Sequence, residues 1–126
     1  MSDNALIVKT KYRNISLSGL PGAGATTLGK HLAQHLGFKY YSGGDFMRKY
    51  AIEKGYFDPK ESVHHSATVY PDDFDRQVDY SVRERMGSEE GCVYESWLSG
   101  FLAQQIAGTF KILIYCSDDS VRVDRI

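Results

Sequence analysis

The stretch GLPGAGATT, residues 19–27, combines glycines and threonines at a spacing typical of loops that bind phosphate. Gly19, Gly24 and Thr26 match the pattern G-x-x-x-x-G-K-[ST], in which backbone N–H groups and the positive end of a helix converge on one anion. In such loops the hydroxyl at the position of Thr26 is a magnesium ligand. The alternative is a glycine-rich turn without a ligand. The residues predicted to contact the phosphates of a nucleotide are Gly19, Pro21, Gly22, Ala23, Gly24, Ala25, Thr26 and Thr27.

The loop departs from this pattern at residue 25, where alanine stands in place of lysine. Loss of ~2 kcal/mol of charge stabilisation in a transition state slows a reaction roughly thirtyfold, and backbone donors do not replace it fully. Lys30 lies one helical turn beyond Thr26, and Arg122 and Arg125 lie near the end of the sequence. The sequence leaves open which of these cations, if any, replaces the lysine.

Composition and charge indicate one globular domain of 126 residues, 42% hydrophobic and 25% charged. Fifteen Lys and Arg residues against sixteen Asp and Glu residues give a net charge of −1, so we expect no binding to nucleic acid or to an anionic membrane. No apolar stretch approaches the roughly 18 residues that span a bilayer. Cys92 and Cys116 each lie in an apolar run, which is typical of free thiols in a reducing compartment. A cytoplasmic protein is expected.

Short β-rich runs alternate with helical patterns, which predicts a parallel sheet with crossover helices. The predicted strands are residues 14–18, 38–41, 91–95 and 111–116, with a further leading strand around Val8. The predicted helices are residues 26–36, 45–54, 97–107, one that begins at Pro71 and one that has just begun at the end of the sequence. The sequence DPKE, residues 58–61, predicts the capped start of another helix.

The run ISLSGLPGAGATTLGKHLAQHLGFKYYSGGDFMRK resembles the nucleoside monophosphate kinases, most closely the cytidylate-kinase-like branch, whose loop commonly lacks the lysine. SGGDFMR (42–48) is similar to the family segment S-x-G-D-x-x-R, and PDDFDRQVD (71–79) to its helix with D-R-x-x-D. CVYESWLSGF (92–101) resembles the strand before L-E-G-R-L-A-G, and LIYCSDDSVRVDRI (113–126) resembles the fourth strand and V-R-x-x-R-I.

The resemblance covers about residues 14–126 and implies a three-layer α/β/α P-loop kinase fold. The implied parallel sheet has the strand order 2-3-1-4, and a helical acceptor-binding insertion occupies about residues 45–87 of a single domain, 1–126. Family members continue through a lid, a fifth strand and a last helix, so the chain is expected to be a fragment or a shortened member. KILIYC (111–116) would then be an exposed apolar edge, which favours pairing with a second copy of the chain.

The resemblance further implies phosphoryl transfer from ATP to a nucleoside monophosphate, with magnesium as cofactor. In this role Arg48 would hold the acceptor's phosphate and Ser42 would contact the acceptor nucleotide. Asp45 and Glu95 would lie near the magnesium. Each has a simpler alternative, because either acidic residue also suits a capping role and Arg48 also suits an ion pair with a surface carboxylate such as Glu53.

The departures from the family pattern are concentrated where the reaction needs positive charge. Ser96 and Trp97 replace the Gly-Arg that follows Glu95 in the family, and Tyr80 replaces an arginine of the D-R-x-x-D helix. Trp97 is therefore predicted to contact the substrate by stacking, with Tyr80 as its neighbour, or both rings pack in the core.

Three functions remain compatible with these residues. The first is a kinase, the second a nucleotide-binding or pseudokinase module, and the third a protein–protein interaction domain that keeps only the fold. The intact glycine and threonine frame favours the first two, and the missing cations favour the last two. We predict nucleotide binding, with a kinase as the preferred interpretation.

Overall fold

A computed structural model of the chain describes residues 9–58, 63–64 and 71–126. The strands are β1 (Asn14–Ser18), β2 (Lys39–Ser42), β3 (Phe57–Asp58), β4 (Val63–His64), β5 (Cys92–Ser96) and β6 (Thr109–Leu113). The helices are α1 (Ala25–Leu36), α2 (Gly43–Glu53), α3 (Phe74–Ser88), α4 (Ser99–Leu102) and α5 (Asp119–Asp124).

Four of the strands form a parallel sheet in the order β2-β5-β1-β6. Numbered along the chain among themselves, these strands have the order 2-3-1-4, which confirms the predicted topology. The register places Ser42 of β2 opposite Glu95 of β5, and Ser18 of β1 opposite Ser96. The carboxyl ends of three strands therefore meet at one edge of the sheet, where open α/β sheets bind ligands.

Side chains of the sheet alternate between two apolar clusters, one on each face. Ile15 and Val93 pack on one face against Ala33 of α1. On the other face Tyr94 packs with residues of α2 and α3 in a cluster that includes Phe46, Phe74, Val78, Val82 and Met86. Helices thus cover both faces, and the predicted three-layer arrangement is confirmed.

The structure corrects two predictions, one about the start of α2 and one about the segment between α2 and α3. Helix α2 begins at Gly43 rather than at Asp45, because Ser42 is its N-terminal cap. The helix predicted from Asp58 is wrong where the structure is described, since Phe57–Asp58 pairs antiparallel with Val63–His64. Residues 59–62, residues 65–70 and the strand predicted around Val8 lie outside the described residues.

The helix predicted at residues 97–107 is shorter, because the chain approaches the sheet closely and then turns. The Gly100 amide donates to Ser18 Oγ at 2.8 Å, and Gln105 has φ 63°, a left-handed conformation that does not continue a helix. Strand β6 consequently begins at Thr109, two residues before the predicted start. Among the described residues, no helix is long and apolar enough to cross a bilayer.

Strand β6 lies at an edge of the sheet, with β1 as its neighbour in the described part of the chain. Leu113 of β6 is 74% exposed. Pairing of this edge with a second copy of the chain stays a prediction.

Candidate functional site

The loop between β1 and α1 turns through two glycines with positive φ, Gly22 (82°) and Gly24 (98°). Gly24 is the N-terminal residue that precedes α1, and no side chain caps this helix. The first backbone bond of α1 runs from Leu28 N to Gly24 O at 3.1 Å, so the amides of Ala25 and of the two threonines that follow precede the hydrogen-bond ladder. Unpaired amides at the positive end of a helix form an anion site.

Ala25, at the position of the usual lysine, packs into the protein. Its side chain is 6% exposed. A Cβ placed on Gly19 would lie 3.3 Å from the Ala25 Cβ and 2.9 Å from Ile114 Cγ2, so these groups are closely packed behind the loop. Residue 25 therefore supplies no cation to the loop.

Two arginines contact the loop: Arg122, which lies in α5, and Arg125, which directly follows α5. Arg122 Nη1 donates to Pro21 O at 3.0 Å, and Arg125 Nη1 donates to Gly22 O at 3.2 Å. The Lys30 ammonium, in contrast, lies 6.0 Å from the centroid of the Tyr40 ring. Of the three candidate replacements for the lysine, the structure places the two arginines on the loop.

Glu95 connects the end of β5 to the loop and to β2. Its Oε1 accepts a hydrogen bond from Thr26 Oγ1 at 2.7 Å and another from the Tyr40 hydroxyl at 2.7 Å. Because Thr26 donates its single hydroxyl hydrogen to Glu95, the lone pairs of its oxygen remain available to a cation. Burial, followed by the hydrogen bond to Glu95, raises the pKa of Tyr40 to about 12, so the phenol is a donor at neutral pH.

The oxygen atoms of Thr26 and Glu95 fit magnesium, a hard cation that often takes one or two protein oxygens together with phosphates and waters. Residues 9–58, 63–64 and 71–126 contain no group of three or more His, Cys, Asp or Glu residues that could enclose a metal ion.

Ser42 and Asp45 cap α2 reciprocally. Ser42 N donates to Asp45 Oδ2 at 2.9 Å, and Asp45 N donates to Ser42 Oγ at 3.2 Å. This capping box confirms the capping alternative for Asp45. A role of Asp45 near a metal stays a prediction; in the sheet it is Ser42, the residue that Asp45 caps, that lies opposite Glu95.

The two aromatic residues that replace arginines of the family pattern are both exposed, Trp97 by 64% and Tyr80 by 65%. The alternative in which both rings pack in the core is therefore wrong. Tyr80 lies off the buried stripe of α3, which Val78 and Val82 occupy, and Trp97 follows the end of β5. Arg48 is also exposed, one helical turn after Asp45 on α2.

Sequence reasoning missed the participation of Tyr40 in this site. The signal that could have revealed it is Gly29 in the middle of α1, where glycine weakens a helix. A Cβ at Gly29 would lie 2.8 Å from Tyr40 Cε1, so the glycine makes room for the ring that reaches Glu95.

Substitution of Gly22 by alanine is expected to lower the free energy of unfolding by about 2 kcal/mol, because L side chains avoid this positive φ and because packing is close. The added Cβ would overlap the Arg122 backbone oxygen. Urea denaturation of both forms measures the effect. Gly87→Ala in α3 is the matched control, since within the described part of the chain nothing beyond its own helix backbone and its chain neighbours lies within 4 Å of the added Cβ, and it is expected to raise stability by about 0.5–1 kcal/mol. A Gly22→Ala variant as stable as wild type would contradict the close packing of α5 on the loop.

The fold and this site define a class of protein. At the carboxyl edge of the parallel sheet, a strand is followed by a glycine loop and a helix. The helix starts with threonine, and a neighbouring strand carries a carboxylate. This arrangement is that of a P-loop domain, which binds nucleotides. Residues 18–126 match the model of a family described as "AAA domain". The chain belongs to this family of P-loop domains.

The curated relatives support the more specific resemblance. Cytidylate kinase of Archaeoglobus fulgidus is 36% identical over 112 residues, which cover 89% of this chain and 59% of the relative. Cytidylate kinase of Haloarcula marismortui is 37% identical over 112 residues, covering 89% of this chain and 56% of the relative. The predicted resemblance to cytidylate-kinase-like P-loop kinases is confirmed, and the chain spans less than three fifths of the length of these relatives.

A solved structure agrees on the fold. A gluconokinase from Sinorhizobium meliloti superposes with a TM-score of 0.62 at 19% identity, covering 93% of this chain and 65% of that protein. At this identity the likeness concerns the fold alone, which is that of P-loop kinases.

Proposed function

We propose that this domain binds ATP with magnesium at the loop of residues 19–27 and transfers the γ-phosphoryl group to a nucleoside monophosphate, as its cytidylate kinase relatives are named for doing. The observation that carries the proposal is the start of α1, where no side chain caps the backbone amides. Beside them, the Thr26 hydroxyl donates its hydrogen to Glu95, so its oxygen lone pairs are available to a cation. Backbone donors and a correctly oriented hydroxyl are the groups that phosphoryl transfer requires around the donor.

On the donor side, the loop amides hold the β- and γ-phosphates and the guanidinium groups of Arg122 and Arg125 take the place of the missing lysine. Their contacts with Pro21 O and Gly22 O bring two guanidinium groups to the loop, of which Arg122 is also paired with Asp119, Nε to Oδ1 at 3.5 Å. Magnesium, when bound, neutralises charge on the phosphate oxygens, and Thr26 with Glu95 would hold it.

On the acceptor side, an oxygen of the monophosphate forms a bond to the γ-phosphorus while the bond from that phosphorus to the β–γ bridging oxygen breaks, which leaves ADP. Arg48 holds the acceptor's phosphate, because a guanidinium group binds two phosphate oxygens at once. Ser42 and Asp45 position the start of α2 beside Glu95. The segment of about residues 45–87 is the proposed acceptor-binding insertion.

Trp97 is the proposed contact for the acceptor base. Its ring is exposed directly after β5, and Ser96 lies 3.1 Å from a Cβ placed on Gly43 at the start of α2. Stacking of a base on an aromatic ring contributes about 1–3 kcal/mol and tolerates different bases, so this contact does not by itself select cytosine.

A second candidate function is a module that binds nucleotide without turnover. The observation that favours it is the identity of residue 97, because an exposed tryptophan stands where the family pattern has a phosphate-binding arginine. This candidate predicts binding of ATP and no phosphorylated product.

Two measurements on the full chain test these functions. A thermal shift with ATP and magnesium is expected for both the kinase and the binding module, and a chain that no triphosphate stabilises would exclude both. A coupled assay with CMP, dCMP, UMP and AMP separates them, because only the kinase forms ADP in an acceptor-dependent way.

Thr26→Ala and Arg48→Ala are expected to weaken the binding of different ligands, the first that of ATP and the second that of the acceptor. Thr26→Ala weakens magnesium-dependent ATP affinity about tenfold and leaves acceptor affinity unchanged, because it removes a hydroxyl from the donor site. Arg48→Ala weakens acceptor affinity about tenfold or more, because it removes a charged phosphate contact, and leaves ATP affinity unchanged. Isothermal titration calorimetry with each ligand measures both. Unchanged acceptor affinity in Arg48→Ala would refute the assignment of Arg48.

A further inference from the structure

Tyr40 reaches the candidate site from β2 through a space that α1 leaves open. Its ring lies against Gly29, where a Cβ would come within 2.8 Å of Cε1, and its hydroxyl lies 2.7 Å from Glu95 Oε1. The ring is therefore held on one side by the helix that carries Thr26, while its polar end contacts the carboxylate.

Both donors to Glu95 use the same carboxylate oxygen. Thr26 and Tyr40 each donate to Oε1 at 2.7 Å, and within the described part of the chain no hydrogen bond is formed by Oε2. Two donors from different elements fix the plane of a carboxylate better than one, so Oε2 is held in a defined position. A carboxylate held in this way can accept a hydrogen bond from a water bound to a metal, the second-shell contact that tunes metal affinity.

We propose that Tyr40 is a positioning residue: through its hydroxyl it orients the Glu95 carboxylate, and thereby Thr26, for the magnesium complex of the bound nucleotide. This inference rests on the proposed function, since it concerns the same donor site. Tyr40 itself contacts neither nucleotide nor metal in this role. Its contribution is the hydrogen bond to Glu95 and not the bulk of its ring.

Tyr41 provides a matched control on the same strand. Its ring lies on the opposite face of β2, 5.4 Å from the Phe46 ring and 5.8 Å from the Tyr94 ring between their centroids. Tyr40→Phe and Tyr41→Phe remove the same atom from adjacent residues, and both keep the aromatic ring that packs. Only the first removes a donor from Glu95.

The experiment compares ATP affinity with excess magnesium and with EDTA, by calorimetry, for wild type, Tyr40→Phe and Tyr41→Phe. We expect Tyr40→Phe to weaken binding about tenfold with magnesium and to leave binding in EDTA unchanged, because the orienting bond acts on the metal complex. Tyr41→Phe is expected to match wild type in both conditions. A role of Tyr40 in packing alone would weaken both conditions equally, and this result would overturn the inference.

A second measurement needs no nucleotide. The carbon-13 resonance of the Glu95 side-chain carboxyl in the free chain is expected to move in Tyr40→Phe and to stay in place in Tyr41→Phe. An unmoved resonance, or magnesium-dependent affinity equal to that of wild type, overturns the role of Tyr40 while the proposed function stands. If wild type binds no ATP with magnesium, the proposed function fails, and the inference fails with it.

Discussion

Replacement of Asn14 by alanine is expected to lower the free energy of unfolding by about 3–5 kcal/mol, a large part of the 5–15 kcal/mol typical of a domain. The Asn14 side chain is fully buried at the start of β1. Its Oδ1 accepts from Cys92 N at 3.0 Å, and its Nδ2 donates to Met86 O at 3.1 Å and to Glu89 O at 2.8 Å. Alanine leaves Cys92 N and Met86 O without this partner in a buried place, and each such loss costs about 1–3 kcal/mol, whereas Glu89 O keeps the hydrogen bond that Arg13 donates to it.

Ser16→Ala, two residues along the same strand, is the control for Asn14→Ala. Ser16 is also fully buried, but among the described residues its Oγ has no hydrogen-bond partner. Removal of this hydroxyl is expected to leave stability unchanged or to raise it by up to about 1 kcal/mol. Urea denaturation of both variants measures the difference. Equal stability of the two variants would show that the three bonds of Asn14 contribute nothing beyond burial of its atoms.

Asn14 also shows where sequence reasoning about the fold stops. The apolar residues Ile15 and Leu17 identified β1, because alternation along a strand is a local pattern. In the sequence, Asn14 is an ordinary polar residue at the start of the predicted strand, and Arg13 is one directly before it. In the structure Arg13 donates to Gly87 O at 3.1 Å and to Glu89 O at 2.9 Å, so both side chains fasten the end of α3 to the sheet. Partners more than 70 residues away leave no trace in a local pattern.

The order of the sheet was predictable for a different reason. Alternation of strands and helices predicted a parallel sheet, and the order of its strands was implied by the resemblance to the nucleoside monophosphate kinases. Helix lengths were less predictable. The helix expected to extend from residue 97 to 107 stops after Leu102, because its length depends on the positive φ of Gln105 and on contact between Gly100 and β1.

Within the candidate site, sequence placed residues at one edge but did not determine their contacts. Ser42 and Glu95 lie opposite each other in the sheet, as strand ends require. The hydrogen bond from Tyr40 to Glu95 depends on the room that Gly29 leaves, which is a property of two packed elements. The choice between Lys30 and the two arginines likewise depended on where α5 lies relative to the loop.

Simultaneous substitution of Arg122 and Arg125 by glutamine is expected to weaken binding of ATP with magnesium by roughly thirtyfold, about 2 kcal/mol. Glutamine keeps donors for the loop carbonyl oxygens and removes both charges. The Arg122 side chain is only 18% exposed, so its charge acts on the loop through less water than a surface charge does. Calorimetric titration at low and high salt measures the effect, and the difference from wild type is expected to shrink as salt rises.

Three controls separate charge from structure in this prediction. Replacement of both arginines by lysine keeps the charge and is expected to retain most of the affinity that glutamine loses. Lys30→Gln removes a cation from α1 that lies beside the Tyr40 ring, and it is expected to leave ATP affinity unchanged. Urea denaturation checks that α5 still packs on the loop in each variant. If Lys30→Gln weakened ATP binding and the double glutamine variant did not, the lysine of α1 would be the replacement for the missing loop cation. A loss in the double variant that does not depend on salt would assign the arginines to the structure of the loop, since screening acts on charge and leaves packing unaffected.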